Sequence, residues 1–275
     1  MYLTFNYSHI GYSHIEKGMH CQDYSARYID NERIIITACD GHGGKPHFRS
    51  EYGSKFASEA VISVFKSIDK KYLRGKKVED IYEKIKISIL CEYNRLVERH
   101  IAHHPFKDKE LALLNEDELL TVTANKMKAY GTTLTGAMLF DNKIFVISIG
   151  DSETLGIKKG NIVRLFDTSS DPAGNLTYSM CQEDAYQYLR VVILNKKMLD
   201  GVLLCTDGLS GPYQSYANLN SSFIRPNMRR ALTNKSTYFL YEQIEKIATS
   251  LGIGDDVSLA LFINANAKIK NYRTE

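Results

Sequence analysis

In RIIITACDGHGG, Arg33 to Gly44, a run of β-branched and small apolar residues stops at Asp40, and two glycines with His42 follow at once. The pattern returns along the chain. GVLLCTDGLSG is an apolar run ending in Asp207-Gly208, and IFVISIGDS ends in Gly150-Asp151-Ser152. GIGDDVSLALF is the mirror case, with Asp255 and Asp256 opening an apolar run, and CQDYS sets Asp23 ahead of the strand that leads to Asp40. One aspartate at a strand end is ordinarily a turn former or a cap. Several acidic positions gathered at sheet ends repel one another unless positive charge sits among them. Oxygen ligands with few histidines select Mg2+ or Mn2+ rather than zinc. The glycines let the backbone approach a ligand closely, and a glycine carbonyl can itself be a ligand. Two such ions about 4 Å apart can share a hydroxide and hold a phosphoryl group for in-line attack, with no protein nucleophile required.

No protein nucleophile is apparent. Ser210 in GLSG lacks the G-x-S-x-G elbow. CDGHGGKP offers Cys39 where a phosphate loop needs its first glycine and Pro46 where it needs Ser or Thr. Neither Cys39 nor Cys205 opens a C-x5-R loop, since Lys45 and Gly211 stand in the arginine's place.

The elements that must position these carboxylates follow from periodicity. Ile34 to Cys39 reads as a strand buried on both faces. Phe56, Ala57, Ala60, Val61, Val64 and Phe65 fall at helical spacing within 50–68, and Ile81, Ile85, Ile89, Tyr93 and Leu96 within 78–100. DKKYLRGKKVED between them reads as a solvated connection. His100, His103 and His104 have the spacing of a helical metal site but sit at a helix C-terminus before Pro105, where capping is the better reading. A polar, helix-containing insertion is expected at about 100–130. GTTLTGAMLF and KIFVISIG form a hairpin about Asp141-Asn142. GNIVRLF, QYLRVVIL, DGVLLCTDG and DVSLALFIN are further strands, and 237–251 is an amphipathic helix. Segment 167–185 is turn-rich. The repeat YSHI at 7–10 and 12–15 has a period of five, which puts His9 and His14 on opposite sides of a strand, and it reads as coincidence. The order of elements predicts an α+β fold of antiparallel sheets covered by helices, in one domain over residues 1–275.

The bulk properties exclude several classes. The net charge is +3 with both signs interspersed, which does not argue for nucleic acid. The five cysteines are odd in number without a C-x-x-C, as for free thiols in a reducing compartment. Cys39 and Cys205 read as small buried hydrophobes. The N-terminus has no signal-peptide pattern, and no apolar run reaches membrane-spanning length. The expected location is cytoplasmic, with no membrane partner.

CQDYS, CDGHGG, YGTTLTGAML, ISIGDSETL, LLCTDGLSG and GDDVSLALF, in that order from about residue 20 to 263, resemble the motifs of the metal-dependent protein phosphatases, the protein phosphatase 2C family. GYSHIEKGMHCQD is most similar to a bacterial subgroup. The resemblance implies a β-sandwich of two antiparallel sheets flanked by helices, with a metal cleft at one end. It implies that Asp40 bridges two Mg2+ or Mn2+ ions and that the Gly41 carbonyl binds one of them. Asp207 and Asp255 would hold the other ion, and Asp23 would act on the metals directly or through their waters. Asp151 with Asp207 would form a third, looser site, and His42 would protonate the leaving alkoxide. The implied substrates are phosphorylated Ser/Thr proteins of a cognate kinase pathway.

The chain also departs from that family pattern. Gly18 stands where many members have a phosphate-gripping arginine, and Lys17, His14 and His20 are the candidates to replace it, without arginine's bidentate fork. Gln22 replaces Glu, Glu153 replaces Arg, Asp256 replaces Asn, and 167–185 lacks the usual Asp-His pair, so an altered flap is expected. Two other readings stay open at this stage: a binding or regulatory module without turnover, and a hydrolase of small phosphoesters or nucleotides.

Overall fold

The apolar runs that end in aspartate become inner strands of two antiparallel sheets. The computed structural model describes residues 1–73, 75, 77–166 and 177–270, so most of the expected flap at 167–185 lies outside the described residues. The strands are β1 (Tyr2–His9), β2 (Tyr24–Ile29), β3 (Arg33–Cys39), β4 (Leu134–Phe140), β5 (Lys143–Ile149), β6 (Glu153–Lys158), β7 (Asn161–Arg164), β8 (Arg190–Asn195), β9 (Gly201–Cys205) and β10 (Val257–Asn264). The helices are α1 (Tyr12–Glu16), α2 (Ser50–Ser67), α3 (Lys70–Leu73), α4 (Val78–His103), α5 (Asp108–Leu111), α6 (Glu116–Ala124), α7 (Ala185–Tyr188), α8 (Asp207–Ser210), α9 (Tyr216–Leu219), α10 (Arg225–Asn234) and α11 (Leu240–Lys246). One sheet runs β1-β10-β9-β6-β7 and the other β2-β3-β4-β5-β8.

Strand periodicity makes both faces of the inner strands apolar, because both are covered. Ile36, Ala38, Ala137, Leu139, Ile144 and Val146 of one sheet meet Val202, Leu204, Ala260 and Phe262 of the other. Their neighbours Ile35, Cys39, Met138, Phe145 and Ile147 turn outward onto α2 and α4. On the far side Leu203, Cys205, Leu259 and Leu261 pack under Phe223, Met228, Leu240 and Ile244. The result is a four-layer sandwich: helices, sheet, sheet, helices. This is the α+β architecture expected, and it leaves the ends of β3, β5 and β9 and the start of β10 free to carry side chains.

Several elements escape sequence reading. β1 and β2 lie at sheet edges, where alternating half-exposed residues give a weak signal. β6 begins two residues after Asp151, so its apolar run reads as part of the turn. The helical stretch from α9 through α10 contains a π turn at Asn220–Ile224, whose Asn and Ser residues disfavour regular helix and hide the period. The charged connection after α2 contains α3. His104 caps α4 with its N–H on the His100 carbonyl at 2.8 Å, while His100 Nδ1 lies 2.8 Å from the Tyr130 hydroxyl. Cys39 and Cys205 are fully buried, and burial pushes both thiols up.

Arg49, at the mouth of α2, fastens the 100–130 segment to the sandwich. Its guanidinium is buried and donates to Glu110 Oε1 at 2.8 Å and Oε2 at 2.9 Å, and to the His104 carbonyl, the Pro105 carbonyl and the Tyr130 hydroxyl. It also lies 4.7 Å from the Phe106 ring centroid. Arg49→Met leaves Glu110 and two carbonyls without their donor, and is expected to lower the free energy of unfolding by roughly 3 kcal/mol. Arg49→Lys should recover little of it, lacking the planar fork. Urea unfolding of both variants checks this.

Candidate active site

The Asp40 turn is glycine-rich yet tightly held. Thr133 N–H and the Thr132 hydroxyl both donate to the Asp40 carbonyl at 2.8 Å, and Asp40 N–H donates to the Thr133 hydroxyl at 3.1 Å. Gly41 bridges to Thr132, and His42 N–H donates to the Gly131 carbonyl at 3.1 Å. GTT therefore serves as the clamp of the DGH turn. Two glycines are needed for close approach. A Cβ on Gly41 would stand 2.4 Å from the Gln22 carbonyl oxygen, and one on Gly131 would stand 2.3 Å from His47 Nδ1 and 2.8 Å from the His42 ring.

Asp40, Gly41, His42, Asp151, Asp207 and Asp255 line one cleft of about 650 Å³, larger than the cavity of about 380 Å³ lined by Leu90, Asn94 and Tyr186 beside α4 and α7. Burial, then the charges of Asp23, Asp207 and Asp255, push the Asp40 carboxyl well up from its ordinary range. Burial also raises Asp207, with Asp151 and Asp255 adding to it and a hydrogen bond from Asp40 opposing it. The two carboxyls are linked by a hydrogen bond that favours the protonated form of Asp40 and the ionised form of Asp207. The other oxygen of Asp207, Oδ1, is buried without a hydrogen-bond partner.

Asp23 stands apart from this lining. It is 6% exposed and accepts a hydrogen bond from the Thr206 hydroxyl at 2.7 Å. Thr206 precedes Asp207, so Asp23 bears on the cleft one layer back. Burial, with the charge of Asp256, pushes its carboxyl well up.

Asp256 has a separate task. It accepts from Gly11 N–H at 2.8 Å and Gln22 N–H at 2.6 Å, and its Oδ1 lies 2.9 Å from His14 Nδ1. Burial opposes its ionisation, but these partners hold its carboxyl below the usual range. The N-terminal segment is thereby tied to the start of β10. His14 turns its other nitrogen toward Asp255, 3.8 Å away, and lines the cleft. His9, in the other YSHI copy, contacts the Ile10 carbonyl at 2.8 Å.

His42, expected from the sequence, lines the same cleft, together with His47, Lys128, Ser179, Cys181 and Gln182, which were not apparent from sequence. The His42 and His47 rings meet edge to face at 5.0 Å. Burial, then the neighbouring charges of His47 and Lys128, lowers His42 to about 3, so its imidazole is neutral. His47 and Lys128 come from irregular 3-10 turns, Lys45–His47 and Lys126–Tyr130, whose directions no periodicity sets.

The positions that depart from the family pattern are placed as follows. Gly18 has φ +64 and open space where a Cβ would go. Lys17 is exposed, and His20 lines a neighbouring pocket with Met19, Gln22 and Phe48. Glu153 pairs with Arg164 across β6 and β7.

These residues fit a hard cation. Carboxyls raised by burial and then by one another's charge, and a buried Asp207 oxygen with no partner, are what such an ion relieves. Among the described residues no three acidic, histidine or cysteine side chains already surround one point as ligands.

Comparison with known proteins bears on the fold and the family. No curated protein matches the sequence. Among solved structures, the serine/threonine phosphatase of S. agalactiae superposes with a TM-score of 0.61 at 16% identity, covering 98% of this chain and 100% of that one. The Mycobacterium tuberculosis serine/threonine phosphatase PstP/Ppp gives 0.56 at 16% identity, covering 95% and 98%. PppA of Pseudomonas aeruginosa, described as a key regulatory component of T6SS, gives 0.56 at 15%, covering 95% and 97%. At such identities these likenesses establish the fold. The sequence profile of Protein phosphatase 2C matches residues 10–247, spanning every element that delivers a carboxylate to the cleft except β10, and on that match the chain belongs to the protein phosphatase 2C family.

Proposed function

We propose that the chain, acting as one domain over residues 1–275 with a helical insertion at about 100–130, is a metal-dependent serine/threonine phosphoprotein phosphatase. The observation that carries this reading is the convergence of Asp40, Asp151, Asp207 and Asp255 on one cleft, with Asp207 Oδ1 buried and unanswered. Mg2+ or Mn2+, two ions and a third in a looser site, would supply Lewis acidity, activating water at neutral pH and offsetting phosphoryl charge. Asp40 would bridge two of them and Gly41 would offer its carbonyl. Asp207 and Asp255 would hold the second ion, and Asp151 with Asp207 the third. Asp23 orients Asp207 through Thr206, and the two threonines fix Asp40. His42 is neutral in the free protein, and a phosphate dianion beside it favours its protonated form. It would then give that proton to the leaving serine or threonine oxygen. The substrates are phosphorylated Ser/Thr proteins of a cognate kinase pathway in the cytoplasm, with neither nucleic acid nor membrane as partner. No helix among the described residues is long and apolar enough to cross a membrane.

The test is hydrolysis of a phosphothreonine peptide with Mn2+, with Mg2+ and with chelator, beside Asp207→Ala. Metal-dependent release that falls more than about 100-fold in the variant is expected, since loss of a ligand exceeds the effect of losing an outer-shell partner. A folded protein that releases nothing under any metal is a binding module, and release from nucleotides alone makes it a small-phosphoester hydrolase.

A further inference from the structure

The cleft is lined by two unlike sets of residues. Asp40, Asp151, Asp207 and Asp255 are one, and His42, His47 and Lys128 are the other. Lys128 is half-buried, and its carbonyl oxygen lies 2.5 Å from His47 Nδ1, which locks its backbone into the cleft lining. Lys128 lines the cleft, and its charge is felt at His42, His47 and Cys181, which line it too. Among the described residues Lys128 forms no ion pair, and its ammonium makes no hydrogen bond. His14, the other basic residue facing the carboxylates, is already engaged by Asp256.

A half-buried lysine that lines the cleft beside two imidazoles, with no counter-ion among the described residues, is placed to take an anion. The anion must fit in the cleft that the carboxylates also line. We infer that Lys128 binds a non-bridging phosphoryl oxygen of the substrate, anchoring the phosphate in the cleft that the carboxylates line. This rests on the phosphatase reading and adds the residue that recognises the phosphate group. A lysine suits the place as a point charge on a flexible stem that can follow the oxygen as the phosphoryl group moves.

The experiment compares wild type, Lys128→Ala and Lys128→Arg, loaded with Mn2+. Two readouts are taken: steady-state hydrolysis of phosphothreonine peptides with neutral or acidic flanking residues, and calorimetric binding of inorganic phosphate, which needs no turnover. For Lys128→Ala the expected result is a rise of about tenfold or more in both KM and the dissociation constant of inorganic phosphate, alike for both peptides, with kcat changed much less. Lys128→Arg should restore most of the phosphate affinity. Unchanged phosphate binding in Lys128→Ala overturns the inference. So does a KM effect confined to the acidic peptide, which would make Lys128 a reader of flanking sequence. A wild type that hydrolyses no peptide defeats the phosphatase reading, while the phosphate-binding comparison still decides the role of Lys128. The side chain lies outside the packed core, and melting curves of the variants should overlay that of wild type.

Discussion

Asp40→Asn is expected to lower phosphopeptide turnover roughly a thousandfold or more while raising the melting temperature of the metal-free protein by a few degrees. Both effects come from one carboxylate. Asp40 ends β3 at the cleft floor, where burial and three neighbouring acidic groups oppose its ionisation. Asparagine has the same shape, can still donate to Asp207, and removes the cost of keeping a buried carboxyl protonated at neutral pH. It also removes the oxygen that would bridge two cations. A residue that destabilises the protein and is needed for chemistry is what a site built for a missing positive charge produces. Turnover of a phosphothreonine peptide and thermal melts in chelator check the two halves separately. A variant that melts lower than wild type would mean that Asp40 supports the fold, and the electrostatic account of the cleft would be wrong.

The same aspartates were the most legible part of the sequence, for a structural reason. Asp40, Asp151, Asp207 and Asp255 each sit where the apolar run of an inner strand stops or starts, and inner strands are the ones whose boundaries are sharp. The edge strands β1 and β2 have no such contrast and went unread. Residues whose role depends on a tertiary partner were equally silent. The two copies of YSHI are chemically identical, yet one ends in β1 and the other lies in α1, so only His14 reaches Asp256 and the cleft. Lys128 precedes the legible YGTT by a turn of 3-10 helix, and its direction is set by the packing of Tyr130 and His47. Asp23 was legible as an acidic position, but its place behind Thr206 depends on β9 arriving from 183 residues away.

A divalent cation should stabilise this protein increasingly as the pH rises. Asp23, Asp40 and Asp207 all have carboxyls raised above their ordinary values. The folded, metal-free protein therefore holds protons that the unfolded chain would release. The stability these groups contribute is complete below the unfolded carboxylate value of about 3.9, and is lost as the pH climbs through their folded values. Cation binding needs the same carboxylates ionised, so it displaces those protons and tightens as the pH rises. Other groups titrate in the same range but act on both forms. His42, lowered to about 3, and His100, lowered to about 4, contribute stability above the unfolded histidine value of about 6.5 and lose it as the pH falls. Asp256 is held low and likewise loses its contribution on acidification, whereas His14 is raised by Asp256 and loses its contribution as the pH climbs. The difference between melts in Mn2+ and in chelator at each pH largely removes these common terms. That difference is expected to be small near pH 5.5 and to reach about 5–10 °C near pH 8 with the ion at a hundredfold excess over its dissociation constant. Protons should be released on binding, measurable by calorimetry in two buffers of different ionisation enthalpy. A shift that is the same at every pH, with no proton release, would place the cation away from Asp40 and Asp207, because only a site made of those carboxyls ties its affinity to their protons.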